Sequence, residues 1–360
     1  MPAQWLLWEK KSFEKARKEN KPILLDLSAV WCHWCHRMDR DNYERKEIYA
    51  YINQHFVPIK VDIDKRPDIR ERYNFGGFPT TAFLAPDGSI ITGTTYVFPE
   101  HFLSVLQDIQ SKYAELQKQT MQQHSERPAL IPEILNEEKA AAIIKNIADM
   151  LKIHFDDAYG GFGMQPKFPA PEAIVFCLER YQETRDELLL TIATKTLDGM
   201  QGIFDEEEGG FFRYSVTRDW NEPHYEKMLD VNAGLIQAYT MGFEVTGKEQ
   251  YKKIAEKTIQ YVLANLSNDA FYGSQDADEE YYELHLEQRK KGKKPFIDKT
   301  IYTNTCSMMI VAFLKAAGML KKEAYKQKAI QAMEFLLKHC YQEGKGMYHY
   351  FDQQPFLLGL

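Results

Sequence analysis

Residues 31–36 read Trp31-Cys32-His33-Trp34-Cys35-His36, and they follow the apolar run Ile23 to Val30 (ILLDLSAV). The run has strand length, and helical spacing begins at Cys35, so the cysteines sit where a strand gives way to a helix. A C-x-x-C pair there has a mechanical purpose. The first sulfur lies at the helix N-terminus, where unpaired N–H groups and the dipole favour the thiolate. The second lies one turn on, close enough to attack a mixed disulfide. His33 and Trp34 lie between them, and a charged imidazole nearby lowers a thiol pKa further. Cys32 is the candidate nucleophile and Cys35 the candidate resolving thiol. Three readings compete. Cys32 to His36 also satisfies the C-x-x-C-H haem attachment pattern, although the export and second axial ligand that haem c requires are not signalled. Zinc on Cys32, Cys35 and His33 or His36 lacks a second C-x-x-C or H-x-x-x-H to complete four ligands. A purely structural cysteine pair is the third.

Working outward, Phe13 to Asn20 reads as a helix stopped by Asn20-Lys21-Pro22. Cys35 to His55 has helical spacing, with Met38, Tyr43, Ile48, Tyr51 and Ile52 as its apolar positions. Phe56 to Ile63 alternates like a strand, and Thr80 to Leu84 and Ile90 to Thr95 flank the turn signal Pro86-Asp87-Gly88. Glu100 to Leu116 is amphipathic. The expected order is α-β-α-β-α-β-β-α. Directly before the third strand stands Gly76-Gly77-Phe78-Pro79-Thr80. Together with the dithiol, this combination resembles the thioredoxin superfamily. The resemblance implies an α/β thioredoxin-like domain over residues 1–116, a cis Phe78–Pro79 bond, and a Pro79 that faces the dithiol and offers a backbone edge to an extended substrate. Trp31, His33, Trp34 and Phe78 are then candidate substrate-binding residues.

The whole chain of 360 residues suits two domains. Apolar residues make up 44% and charged residues 27%, the balance of a soluble globular protein. A diffuse net charge of −7 argues against nucleic acid as a main partner, because phosphate binding needs a basic face, and it gives no support for an anionic membrane surface. The N-terminus lacks a basic n-region followed by an apolar h-region, and no run approaches the ~18–20 apolar residues of a spanning helix. Five scattered cysteines are no disulfide framework and fit a reducing compartment, so the expected location is cytoplasmic. No cofactor and no metal are called for.

Residues 117–137 are polar, contain two prolines and read as a linker. Strand signals then largely vanish. Long helical patterns follow at about 138–154, 171–183, 186–203, 229–245, 249–266, 303–319 and 323–341. Between them stand Asp157-Ala-Tyr-Gly-Gly-Phe162, Glu208-Gly-Gly-Phe-Phe212, Asp269-Ala-Phe-Tyr-Gly273 and Glu343-Gly-Lys-Gly-Met-Tyr348. A glycine-aromatic turn recurring once per helix pair is the signature of stacked helical hairpins.

The run Asn20-Lys21-Pro22-Ile23 before the dithiol is distinctive. So are Pro166-Lys-Phe-Pro169, Pro223-His-Tyr-Glu-Lys-Met-Leu229 with Asp230 and Asn232, and Gln275-Asp-Ala-Asp278. Together they resemble the spermatogenesis-associated protein 20-like proteins, also called the YyaL family, across nearly the whole chain. The resemblance implies a thioredoxin-like domain joined to an (α/α) helical toroid over residues 138–360, similar to six-hairpin glycosidases and N-acylglucosamine 2-epimerases. Two departures stand out. The charged segment Glu279 to Lys294 replaces an expected Glu-Gly and aromatic strand, and Thr303-Asn304-Thr305-Cys306 stands where Trp-Asn is common. Seven helices also make fewer hairpins than a full toroid needs, and Gln354 to Leu360 reads as an apolar tail without a cap, so an incomplete toroid is expected.

Glu222, His224, Glu226, Lys227 and Asp230 crowd a helix start beside one glycine-aromatic turn, and Asp276 and Asp278 follow another. In α/α toroids such turns line the pocket, where an imidazole and carboxylates act as acid and base on a sugar. Lys167, Phe168, Trp220 and Phe212 are candidate cation and stacking faces. The bland readings are helix-dipole partners, turn caps and a satisfied histidine. Cys177, Cys306 and Cys340 read as buried fillers. The leading function is a dithiol–disulfide oxidoreductase domain, acting on a protein or small-molecule disulfide, linked to a helical domain with a possible carbohydrate ligand. Asp230 is a further candidate binding residue. The rivals are a carbohydrate epimerase or hydrolase working through His224, Glu226 and Asp276 or Asp278 with an accessory thioredoxin domain, and a binding module without catalysis.

Overall fold

A computed structural model describes residues 3–122 and 136–358. The chain divides into two compact units, Met1–Ile131 and Pro132–Leu360. In the first, the elements in chain order are α1 (Lys10–Glu19), β1 (Ile23–Ser28), α2 (His33–Met38), α3 (Lys46–His55), β2 (Val57–Asp62), α4 (Pro67–Tyr73), β3 (Thr80–Leu84), β4 (Ile90–Thr94) and α5 (Pro99–Gln122). The sheet runs β2-β1-β3-β4, with β1 and β2 parallel and the other pairs antiparallel, which is a thioredoxin-like α/β arrangement. β1 is covered on both faces and so reads as a nearly unbroken apolar run rather than an alternation. Its core partners include Met38, Ile48, Phe83 and Phe102.

Two details differ from the sequence reading. The helix expected over 35–55 is broken: α2 ends in a π-helical turn, Asp39–Tyr43, and Arg45 is extended before α3. The wide turn carries Asp39, whose carboxylate accepts from Lys60, and Tyr43, whose hydroxyl is hydrogen-bonded to Thr81. α5 also continues to Gln122, six residues into the expected linker; residues 123–135 of that linker lie outside the described residues.

The second unit continues with α6 (Glu137–His154), α7 (Pro171–Thr184), α8 (Glu187–Gly199), β5 (Tyr214–Ser215), β6 (Pro223–His224), β7 (Lys227–Met228), α9 (Leu229–Thr246) and α10 (Glu249–Asn265). Then come β8 (Ser274–Gln275), α11 (Glu279–Tyr282), α12 (Leu286–Arg289), β9 (Ile297–Asp298), β10 (Ile301–Tyr302), α13 (Thr303–Leu320), α14 (Glu323–His339), β11 (Tyr341–Gln342), β12 (Gly346–Asp352) and β13 (Gln354–Leu358). α7, α9 and α13 lie side by side as an inner row, and α8, α10 and α14 back them one by one, giving an (α/α) hairpin array. α9 is wedged between two inner neighbours and is buried nearly all round, which is why its sequence is apolar on most faces. α13 alone among the described helices is long and apolar enough to cross a membrane; here Met309, Phe313 and Ala316 bury its apolar face in the core.

The repeated turns are real structural repeats. Phe155 pairs with Phe162, Phe204 with Phe211 and Ser267 with Phe271, and β11 with β12 closes the last one. Glycine is required twice for the same reason. A Cβ on Gly160 (φ +71°) would lie 2.3 Å from Lys195 O, and one on Gly209 (φ +84°) 2.5 Å from Lys257 O. The charged 279–294 segment packs through α11 and α12, because Arg289 is buried against Asp205 and the Tyr282 and Leu284 carbonyls. Residues 354–358, read from the sequence as part of an apolar tail without a cap, pair with β12, and Tyr350 stacks on Phe356 across the strands.

Candidate functional site

β1 delivers the chain to Cys32, which adopts extended backbone and caps α2, its sulfur 3.2 Å from the Cys35 N–H. Cys32 and Cys35 are joined by a disulfide, and each is only 2% exposed. Trp31 is buried and donates from Nε1 to Asp64 Oδ2 at 2.5 Å, fixing the residue before the dithiol. His36 is turned away, with Nε2 3.0 Å from Val30 O. His33 and Trp34 are half-buried beside the disulfide. The Phe78–Pro79 bond is cis, as the thioredoxin resemblance implies; Pro79 is buried and Phe78 half-buried. The loop before it is shaped by Asn74, whose Oδ1 accepts from the Gly76 and Gly77 N–H groups, and by Thr80, whose hydroxyl donates to Gly77 O.

Asp26 was not singled out by the sequence reading, although an acid inside ILLDLS is itself a signal. It is 1% exposed on β1, opposite Lys60 on β2, whose Nζ lies 3.1 Å from Asp26 Oδ2 and 2.6 Å from Asp39 Oδ1. Burial pushes the Asp26 carboxyl up to about 6, the nearby Asp39 charge adds to this, and Lys60 opposes it. A buried acid that titrates close to neutrality lies in the strand that leads to the dithiol.

In the helical unit, β5 and β6 pair Tyr214 with His224, and their rings stack at 4.7 Å and 11°. Phe168 stacks on the other side of Tyr214 at 4.6 Å, and the Arg213 guanidinium lies over both Phe168 and Tyr214. His224 Nδ1 is hydrogen-bonded to Glu226 Oε2, and both residues are buried. Burial pushes Glu226 upward, but the His224 hydrogen bond and charge, with Arg213, hold it below the usual carboxylate range. Burial dominates at Asp230 and raises it, with Glu172 adding to the rise. Two carboxyls near one guanidinium are thus driven in opposite directions, a pattern suited to dividing acid and base roles.

The two acidic segments converge. β7 pairs Lys227 with Gln275 and Met228 with Ser274, which brings the chain next to Glu226 alongside the chain next to Asp276. Asp278 serves as a cap: its Oδ1 accepts the Tyr281 N–H at the start of α11. The cation and stacking faces expected from Lys167, Trp220 and Phe212 are core instead. Lys167 is fully buried and donates to Asp156 and Gly160 O, with Trp220 beside it, while Phe212 packs on Tyr225 and Tyr282. Sequence reasoning missed Arg213 and Tyr214, because a two-residue strand leaves no periodic trace. Cys177, Cys306 and Cys340 are buried and unbridged, as read.

A family model described as Thioredox_DsbH, protein of unknown function, DUF255, matches residues 1–131. Spermatogenesis-associated protein 20 of Homo sapiens is 34% identical over 308 residues, covering 77% of this chain and 39% of the human protein, and the Mus musculus protein is 33% identical over the same length. The chain thus spans about two fifths of the length of these curated relatives. Among solved structures, cellobiose 2-epimerase from Spirochaeta thermophila is similar over 62% of this chain and 60% of its own, with a TM-score of 0.48 at 15% identity. A structure titled DsbH Oxidoreductase is similar over 31% of this chain and 86% of its own, with a TM-score of 0.29 at 19% identity. Over a stretch long enough to include parts of both its thioredoxin-like and its helical units, the chain is similar to the spermatogenesis-associated protein 20-like proteins.

Proposed function

We propose that the N-terminal unit is a thiol–disulfide oxidoreductase. The observation that carries this reading is the Cys32–Cys35 disulfide at the N-cap of α2, where the first sulfur accepts a backbone N–H. In the reduced protein the Cys32 thiolate attacks one sulfur of a substrate disulfide, breaks that S–S bond and expels the other sulfur as a thiolate. Cys35, deprotonated, then attacks the Cys32 sulfur and releases the second substrate thiolate, leaving the protein disulfide. Two electrons pass from the dithiol to the substrate, and the thiolates take up protons from solvent. Pro79 supplies the backbone edge for the substrate, and Trp31, His33, Trp34 and Phe78 shape its surroundings. The test is insulin reduction in the presence of dithiothreitol. The wild-type chain should accelerate it, C32S should not, and C35S should retain a mixed disulfide through Cys32. Equal rates for wild type and C32S sink the reading.

The helical unit supports a second reading, a site for a carbohydrate. The Phe168–Tyr214–His224 ring stack, with Arg213, Glu226 and Asp230 beside it, provides a stacking face and charged hydrogen-bonding groups for a polyhydroxylated ring. A relative over 90 residues, 24% identical, is the cellobiose 2-epimerase of Bacteroides fragilis. A thermal-shift screen with cellobiose and mannose oligosaccharides tests it. A shift that Y214A abolishes supports the site, and no shift with any sugar removes it.

A further inference from the structure

A line of aromatic rings leads away from the dithiol. His33 and Trp34 have ring centroids 5.9 Å apart, Trp34 meets Tyr96 at 5.0 Å, and Tyr96 meets Phe98 at 5.5 Å, each pair edge-on. Phe98 is 60% exposed, although a large apolar ring gains from burial. Tyr96 and Phe98 are also the rim of a cavity of about 340 Å3 between β4 and α5. Phe83, Val105 and Ile109 are among its walls, and His101 and the Tyr96 phenol are its ionisable side chains. Neither cysteine lines it, so the exchange step leaves it unused. Its volume is that of a small ligand pocket, and its walls hold no carboxylate, lysine or arginine that would single out a charged group.

Resting on the oxidoreductase reading, we infer that this cavity receives a bulky apolar side chain of the disulfide-bearing polypeptide, about three residues from the reacting cysteine. The occupant follows from continuity. The rim begins at Tyr96, which touches Trp34, the residue preceding Cys35. Two ring-to-ring steps from Trp34 to Phe98 match roughly three residues of extended chain at ~3.3 Å each. A substrate segment leaving the dithiol along this line passes over Trp34 and Tyr96 and reaches the cavity with its third side chain. An aromatic or branched aliphatic group there completes the edge-to-face series that Phe98 leaves open to water. The site thus selects disulfides by an apolar neighbour and discriminates against polar or short partners such as small-molecule disulfides.

The test uses three peptides, each with one cysteine bonded to thionitrobenzoate: phenylalanine about three residues before the cysteine, about three after, or serine at both. The reduced full chain attacks the peptide sulfur through Cys32 and expels the coloured aryl thiolate. Cys35 then releases the peptide thiolate and closes the protein disulfide. Rates are normalised to those with free dithiothreitol. One phenylalanine peptide is expected to react at least about tenfold faster than the serine peptide, the scale of burying one large apolar side chain. F98A and V105W are expected to bring that ratio to within about twofold. F98A removes an exposed ring and leaves the core closed, so it decides the matter if V105W fails to fold. Equal rates for all three peptides, or a preference that survives F98A, overturn the inference. Fluorescein-labelled peptides with serine in place of cysteine separate the two readings. Phenylalanine-dependent binding that F98A weakens, with no aryl thiolate released from any peptide, sinks the exchange reading and supports the cavity. Binding indifferent to phenylalanine and to F98A, with all peptides reduced alike, sinks the cavity and supports exchange.

Discussion

Lys227 Nζ lies 2.6 Å from Asp205 Oδ2 in the core of the helical unit, with neither side chain more than 2% exposed. Arg289 Nη1 reaches the same oxygen at 2.6 Å, so one carboxylate serves two buried cations. Burial pulls Lys227 down to about 8, against the pull of Asp205. The asymmetry sets the mutational order. D205N strands two cations and should cost roughly 3–5 kcal/mol, whereas K227M leaves Asp205 paired with Arg289 and should cost less. Calorimetric unfolding of both variants checks the order. Between pH 8 and the free lysine value the unfolded chain binds more protons at Lys227 than the native one, so this group's contribution to stability should grow as pH rises through that window.

Asp26 predicts the opposite slope in the other unit. Its native carboxyl titrates at about 6 against 3.8 when free, so the native state binds more protons between those values. Stability should therefore fall as pH rises from about 4 to 6 and stay lowered above that. D26N removes the effect, and Lys60 keeps Asp39 as a partner. D26N should be more stable at pH 7 by an amount on the order of 2–3 kcal/mol, with the gap closing by about pH 4. Tryptophan fluorescence during urea unfolding reads this, because Trp5, Trp8, Trp31 and Trp34, four of the five tryptophans, lie in this unit.

The Asp26 case shows what the sequence carries. A strand covered on both faces prints as an apolar run, and the acid interrupting it was visible without its partner. The helix pairs were legible because burying one stripe imposes a period near 3.6 on long segments. The break at Arg45 was not, since apolar positions keep helical spacing from Met38 to Ile52 across the gap. β13 was missed because its pairing depends on β12, itself anchored on β10 some 50 residues earlier. The Tyr214–His224 stack was hidden for a related reason: its two-residue strands exist only once the turns beside them have formed.

Cys32 should titrate below the free thiol value of ~8.5, because capping α2 exposes its sulfur to the helix dipole and to the Cys35 N–H. Iodoacetamide labelling of the reduced chain across pH, read by peptide mass, should block Cys32 before Cys35. Cys177 and Cys306, whose thiols burial pushes up to about 12, should stay unlabelled until the chain unfolds.

Glu226 and Asp230 give the helical unit its own pH test. Glu226 should remain charged well into the acid range, held by His224 and Arg213, while Asp230 keeps its proton to higher pH than a free aspartate. If a sugar binds beside them, E226Q should weaken it by about tenfold or more through loss of a charged hydrogen-bond acceptor. D230N, which mimics the protonated group, should retain acid-pH affinity and flatten the pH dependence. Calorimetric titration across pH measures both.

Asp156 and Asp205 each anchor a turn between helix pairs, yet the arginines that complete their pairs, Arg218 and Arg289, come 62 and 84 residues later in the chain. Each turn therefore waits, with its carboxylate and lysine already close in sequence, for a clasp that emerges from the ribosome only after the following helices. A chain released before Arg218 would present the Asp156 turn unclasped, and one released before Arg289 would leave the Asp205 turn in the same condition. The helical unit is thus fastened backward, each later segment securing an earlier one, so loss of a downstream segment is felt first at a turn far upstream of the cut.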